Sequence, residues 1–432
     1  MNQLLFRSLV AIALLIGLSC VSDLSGQIVP GSAVFAQTSG DTAPIADPAT
    51  VGLSTQRLDR LSKYLQAEVL AGTVPGAVVA IARRDQLVYL QAFGHRDDES
   101  RDPMPVNALF DLSSLTEAVT AVGALALEEQ GAWLLSDSVG SYLDPFKRRP
   151  LRIFDLLRHT DGLPLSVSAP NAATGRIRYS LQAALGFTGS GFIRTLADSR
   201  DWRSANQVAT DGFSFDLLGL AIEAAAGQTL GAYLLQTVFV PLDMWDTGFN
   251  PGTDHAARIV RPAPNATIDA QLVTGWAPVR DLSTPVSFDC GGSCLYSSAA
   301  DYLRFARFLL NQGVLDGRRV LSRTSVAFMT SNRLGTLESR MPAVDEIYNV
   351  GPARSGLGYG VSVRPGNSGT AAAVMLDGST GEFSRAAPTG PYFWADPQEQ
   401  LAVVVLAVLP DPVRRLRLHR VIRALVRQAI SD

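Results

Sequence analysis

Lysine is almost missing from this chain. Of 37 basic residues among 432, only Lys63 and Lys147 are lysines, and the other 35 are arginine. Arginine keeps its charge at any physiological pH, so the chain has next to none of the cationic side chain that can lose a proton and act as a base. Cysteine is as scarce, at Cys20, Cys290 and Cys294. Two cysteines without nearby histidines make a poor zinc site, and the CGGSC pair lacks the CxxC spacing of redox motifs. Cys290 and Cys294 are therefore read as a small structural disulfide loop in an oxidising compartment, or as two buried free thiols. The four histidines, His95, His159, His255 and His419, are scattered and form no local metal pattern. There is no Gly-x-Ser-x-Gly elbow, no HExxH and no glycine loop followed by lysine, which leaves an α/β-hydrolase, a zincin and a P-loop enzyme unsupported. A net charge of -3 gives the whole chain no strong pull on nucleic acid.

Hydrophobic residues make up 47% of the chain, enough for a large core and two or three domains. Near the N-terminus one positive charge, Arg7, precedes an apolar run from Leu9 to Leu18. The run is short for a membrane span and fits a secretory signal, with GSAVFAQ offering cleavage after Ala36. A lipoprotein at Cys20 and an uncleaved anchor are the alternatives. No later stretch is long and apolar enough to span a bilayer, so the mature chain is expected to be exported, periplasmic or extracellular, and without a transmembrane segment.

Residues 37–52, QTSGDTAPIADPATVG, are rich in small residues and proline and read as a linker. Leu58, Leu61, Leu65 and Val69 recur at helical spacing after a Ser/Thr start. GAVVAIARRDQLVYLQAFG gives two β-branched runs about a polar turn at Arg84 and Asp85, a hairpin. Helical patterns stopped by glycine follow between about Ser114 and Asn332. Strand patterns return in GYGVSVRP, TGPYFWAD and LAVVVLAVLP, and a basic amphipathic helix begins near Pro412. That last helix either packs Val421, Leu425 and Val426 on the sheet or touches a membrane surface. With strands at both ends, the pattern predicts an α+β fold: an antiparallel sheet flanked by N- and C-terminal helices. A mostly helical domain, 114–334, is inserted between sheet-forming segments 53–113 and 335–432, and 1–36 is the signal peptide.

An ordered series of motifs then resembles the serine β-lactamase-like family, which includes class C β-lactamases, D-Ala-D-Ala peptidases and related esterases. LSTQRLDRLSKYL and GTVPGAVVAIARRDQLVYLQAFGHRD look like its first helix and hairpin, and LFDLSSLTEAV like its nucleophile segment. RIFDLLRHTDGLP resembles its LLxHTSGLP stretch, with Asp161 for serine. FDLLGLAIEAAAG, PLDMWDTGF, CLYSSAADYLRFARFLLNQG and GSTGEFSRAAPTGPYFWADPQEQLAVVVL follow in order, the last most like the esterase branch. The resemblance implies a β-lactamase/transpeptidase-like fold and no cofactor or metal. It also implies three catalytic elements: a serine opening a helix, a lysine three residues later on the same face, and a tyrosine, with a Lys-Thr-Gly or His/Trp-Gly-Gly strand beside the pocket.

In that frame the nucleophile falls on Ser114 and the lysine position on Glu117. The tyrosine position falls on Thr210 or Asp211 according to register, with Gly212 in the asparagine place of the first register. The strand motif falls on Arg385, Ala386 and Ala387. A carboxylate ordinarily titrates near pH 4.3, too low to take a proton from serine efficiently at neutral pH. Its charge also opposes a developing alkoxide, by about 4 kcal/mol at 4 Å and an effective dielectric near 20. Glu117 and Arg385 are expected to face each other across the pocket within hydrogen-bonding distance, since a charge left alone in a cleft is costly.

The first expectation is thus a degenerate family member, a pseudoenzyme whose cleft holds a small molecule, peptide, glycan or protein partner. The second is an active serine hydrolase using Ser114 with a non-standard base, and the third a membrane-associated scaffold. Each residue also has a plainer reading. Ser114 is a helix-start residue with Ser113 as its cap, and His159 stabilises a turn. Asp161 and Asp211 make the cleft acidic or bind loop backbone, while Tyr296 and Trp394 are packing residues bordering the pocket.

Overall fold

The computed structural model describes residues 44–97, 99–164, 189–200, 202, 213–261, 288–335, 356–364, 378–409 and 411–432. Helix α1, Thr55–Leu70, starts where Ser54 Oγ accepts from Arg57 N and buries Leu58, Leu61 and Leu65 on one face. The end of the segment read as linker is docked rather than free. Ala46 N donates to Leu87 O at 2.8 Å, Asp47 caps a short turn at Pro48–Val51, and Val51 and Leu53 are buried.

Strands β1 (Gly76–Arg83) and β2 (Gln86–Gly94) form the expected hairpin. Its two turn residues, Arg84 and Asp85, both have left-handed φ, 49° and 63°, as a tight two-residue turn between twisted strands requires. Neither is glycine, and the strain is offset by anchoring: Asp85 Oδ1 accepts from Arg307 Nε and Asn311 Nδ2, both at 2.8 Å.

Short β3 (Phe110–Asp111) leads to α2 (Thr116–Glu129), followed by α3 (Ile153–Leu157), α4 (Gly189–Asp198), α5 (Phe213–Ala226) and α6 (Leu230–Leu234). Then come β4 (Tyr296–Ser297), which pairs with β3, and α7 (Ala299–Leu310). A small hairpin of β5 (Val314–Leu315) and β6 (Arg318–Arg319) precedes α8 (Arg323–Met329). The chain closes with β7 (Gly356–Leu357), β8 (Ser362–Val363), β9 (Phe383–Ala386), β10 (Tyr392–Asp396), β11 (Leu401–Ala407) and α9 (Pro412–Arg427). Among the described residues no single helix is long and apolar enough to cross a membrane.

The main sheet runs β2-β1-β11-β10-β9-β8-β7, antiparallel at every pair, so the N-terminal hairpin docks on the last strand. Strands β1 and β11 are buried on both faces, which is why they read as unbroken apolar runs. Alternate residues divide between two cores. Val78, Ala80, Phe393 and Val404 face the inner core, which α2, α5 and α7 fill. Ala77, Val79, Trp394 and Val405 face α1 and α9 on the outer side. Helix α7 lies within the segment assigned to the inserted helical domain, yet its Tyr302 packs edge-on against Phe393 of the sheet at 5.2 Å.

Helix α9 starts at Asp411, which accepts from Arg414 N, followed by proline at the first helical position. It docks through Leu418, Ile422 and Val426, while Val421 and Leu425 are only half-buried. Charged groups are carried into the same interface in pairs. Arg423 donates to both carboxylate oxygens of Glu382 at 2.8 Å and to the Tyr392 hydroxyl at 2.9 Å.

His419 is buried on this face, stacked on Tyr392 at 4.7 Å, with Nε2–H donating to Gly390 O at 2.8 Å. Burial pushes its pKa down to about 3, with nearby Arg415 acting the same way and the Gly390 bond opposing. A depressed folded-state value means the unfolded chain takes up the proton first, so stability present above about pH 6.5 is lost as pH falls toward 3. Glu223 and Asp301, raised by burial to about 7, tilt stability the other way over part of that window. The difference between wild type and a His419→Gln variant isolates the histidine. Urea unfolding at pH 7.5 and pH 4 is expected to show wild type losing about 3 kcal/mol more than the variant on acidification.

Candidate functional site

The segment carrying Ser114 is held at both ends before the helix begins. β3 pairs with β4, Leu112 N donates to Leu295 O at 2.9 Å, and Asp111 Oδ1 accepts from Ser113 N at 2.8 Å. Ser113 has φ 47°, in the left-handed region, so it does not cap the helix: a cap needs extended backbone, and no side-chain cap bond is made at this end. A single 3-10 turn, Ser113–Leu115, passes into α2, whose residues from Thr116 to Leu127 are all buried. Tyr302 of α7 donates to Leu115 O at 2.9 Å, and Thr120 donates to Gly291 O at 2.7 Å.

Ser114 is half-buried, and its Oγ makes no hydrogen bond among the described residues. Its carbonyl accepts from Arg385 Nε at 3.4 Å. Glu117, one turn along α2, is wholly buried. Its Oε2 forms an ion pair with Arg385 Nη2 and accepts from His159 Nε2 at 3.1 Å. The expected Glu117–Arg385 pair is therefore made. Arg385 is aimed at α2 by strand parity: on β9 it stands opposite Phe393, on the inner face of the sheet. Ala386 and Ala387 follow it into the turn that Ala387 N closes on Pro391 O.

His159 is not merely a turn residue. Left-handed backbone at φ 55° brings its ring inward against Phe215, at 5.0 Å, and onto Glu117. Forty-two residues separate it from Glu117, and no local spacing signals the contact. Two polar atoms of this cluster, Glu117 Oε1 and His159 Nδ1, are buried with no hydrogen-bond partner among the described residues. Tyr302 is a second neighbour that sequence reasoning missed. Burial drives its hydroxyl pKa well up, with Arg385 lowering and Glu117 raising it, so the phenol remains neutral and acts as a donor. Gly360, between β7 and β8, has φ 68°, and a Cβ there would stand 2.7 Å from Glu117 O, so the turn rests directly on the helix.

The remaining predicted residues sort differently. Thr210, Asp211 and Gly212 lie outside the described residues. Asp161 binds its own loop and α5, accepting from Leu163 N at 2.7 Å and Ser214 Oγ at 2.6 Å. Cys290 and Cys294 form a disulfide, closing the loop that presents Gly291 O to Thr120. Tyr296 packs with Leu109 and Ile259 in a separate small cluster. Trp394 does not border the site: it lies on the outer face of the sheet, beneath the Arg423 guanidinium.

Comparison with known proteins agrees with this architecture. The β-lactamase family profile matches residues 58–427. The chain belongs to the β-lactamase family. It is 30% identical over 362 residues to an uncharacterized protein of Mycobacterium tuberculosis, covering 78% of this chain and 86% of that one. It is 29% identical over 289 residues to esterase EstB of Burkholderia gladioli, covering 61% of this chain and 73% of the esterase. The solved structure of EstCE1, a hydrolase with promiscuous acyltransferase activity, superposes with a TM-score of 0.68 at 22% identity, over 86% of this chain and 98% of that one. In this β-lactamase-family chain the carboxylate of Glu117, one turn after Ser114, is tied to an arginine on the strand beside it.

The energetic consequence is specific. Breaking a buried ion pair from one side leaves an uncompensated charge and costs about 3–5 kcal/mol, whereas replacing both partners with apolar groups of similar volume is often near neutral. Arg385→Met and Glu117→Met singly are expected to destabilise by that amount in urea titrations. The double variant is expected within about 1 kcal/mol of wild type or better. Additive losses in the double variant would show that the two side chains are not energetically coupled.

Proposed function

We propose that this chain is an exported, non-catalytic member of the β-lactamase family whose cleft binds a peptide, glycan fragment or protein partner. One observation carries the reading: Glu117 is buried and held by Arg385 and His159, while Ser114 Oγ bonds to none of them. A serine hydroxyl needs a neighbour that accepts its proton as it attacks. The group one turn away is an anion neutralised by its own partners. Its charge adds to that of an alkoxide, and Arg385 is occupied by the carboxylate. Loss of one member of such a set typically lowers the rate by about 10⁴ to 10⁶. Export rests on the apolar run Leu9–Leu18 and the GSAVFAQ cleavage candidate.

A second reading, an active serine hydrolase, draws on Ser114 itself. The residue stays half-exposed at the start of a buried helix, after a left-handed Ser113. Relatives carry names such as esterase EstB and putative D-alanyl-D-alanine carboxypeptidase, so esters and peptides are the substrate classes this reading would test.

Fluorophosphonate labelling of the purified protein, followed by intact mass, separates the two readings. Wild type is expected to remain unlabelled, like a Ser114→Ala control. Labelling of wild type that disappears in the control would overturn the non-catalytic reading. Restoring the lysine alone, with Glu117→Lys, is expected to leave ester and β-lactam hydrolysis at the level of the Ser114→Ala control. The new cation would face Arg385, and the tyrosine and glycine positions would stay altered.

A further inference from the structure

The outer face of the sheet carries a feature that the cleft does not use. Helices α1 and α9 lie antiparallel across it: Arg57 Nη1 donates to Gln428 O at 2.8 Å, while Tyr64, two turns on, feels the charge of Arg417. The interface between them is apolar, but α9 divides its arginines. Arg415 and Arg423 are buried in hydrogen bonds and Arg427 bridges Glu382 and Asp396. Arg414, Arg417 and Arg420 recur every third residue on the exposed side and make no ion pair among the described residues. On α1, Lys63 and Arg60 are exposed as well. Among the described residues Lys63 makes no ion pair, and Arg60 bonds only the neutral Gln428 side chain at 3.0 Å.

Glu68, Asp411 and the exposed Asp59 lie on these helices or at their ends, but none forms an ion pair with the stripe among the described residues. Glu68 is bound by the Thr73 hydroxyl, and Asp411 is engaged as the cap of α9. The cations thus gather on one face of a chain whose net charge is -3. Leu70, the last residue of α1, and Val413, the second residue of α9, fall at the same end of this antiparallel pair. They are the two most exposed large apolar side chains among the described residues, at 87% and 76%. Cations flanking a protruding apolar pair are what an interface with charged headgroups over acyl chains requires.

We propose that the α1/α9 face is a docking surface for an anionic phospholipid bilayer, with Leu70 and Val413 entering the headgroup layer and the three exposed arginines of α9 meeting lipid phosphates. Guanidinium binds phosphate through paired N–H groups, and the absence of internal ion pairs leaves these arginines available for it. Because Ser114 and Arg385 stand on the inner side of the sheet, docking this way turns the cleft away from the bilayer. This holds whether or not Ser114 turns over substrate.

The test is co-sedimentation of the full chain with vesicles of phosphatidylglycerol in phosphatidylcholine, against vesicles of phosphatidylcholine alone. Binding that does not depend on phosphatidylglycerol is common to both vesicle types, so the readout is the increment that phosphatidylglycerol adds. Replacing Arg414, Arg417 and Arg420 together by serine is expected to lower that increment roughly a hundredfold in partition coefficient. A triple arginine-to-lysine variant is expected to keep most of it, and both should unfold at the wild-type temperature. Leu70→Ser with Val413→Ser is expected to weaken binding without removing its dependence on phosphatidylglycerol. Equal partition of wild type into the two vesicle types, or a serine variant that binds like wild type, would overturn the proposal. A lysine variant that loses as much as the serine one would also overturn it.

Discussion

A carboxylate buried in the first turn of the most enclosed helix is the constraint around which the site is arranged. Glu117 is shut off from bulk solvent, so the fold must bring it positive charge or donors, or else drive it neutral. The fold brings Arg385 from the sheet and His159 from a loop, and both reach the same oxygen. Each contact ties a different layer of the molecule to α2. The strand is held by the ion pair, the loop by the histidine, and α7 by the bond from Tyr302 to Leu115 O. Arg385 and Oε2 of Glu117 are committed to one another, so removing either one leaves the other buried and unpaired.

The sheet explains why one surface can be read independently of the other. Its central strands are covered on both sides, and strand parity sends adjacent residues to opposite cores. Phe393 abuts the ring of Tyr302 beside the Glu117 cluster, whereas Trp394, one residue on, stacks with Tyr392 under α9. Substitutions on the outer helices therefore act through a separate hydrophobic cluster from the one that supports Ser114.

Much of this was legible in the sequence, for identifiable reasons. The hairpin showed itself through two β-branched runs around Arg84 and Asp85, and α1 through the spacing of its leucines after Ser54. The Glu117–Arg385 pair followed from electrostatics once the family resemblance had set both residues beside one pocket. What remained hidden depended on backbone dihedrals and parity. Ser113 looked like a cap, but its left-handed φ places the side chain where no cap bond forms. His159 reaches Glu117 through its own left-handed backbone, and Trp394 lies on the outer face, not at the pocket border, because one step along β10 reverses the side chain. Helix α9 packs Leu418, Ile422 and Val426 with one face and presents Arg414, Arg417 and Arg420 on another.

The pairing of β1 with β11 also bears on the order of events in folding. Ala77 stands opposite Ala407, so the central seam of the sheet joins residues from opposite ends of the chain. Closing so long a loop is entropically costly, and native contacts of high sequence separation form slowly. The hairpin of β1 and β2 must wait, its apolar edge unpaired, until almost the whole polypeptide has been made. A chain that emerges gradually from a ribosome therefore exposes this apolar strand early and covers its outer edge last.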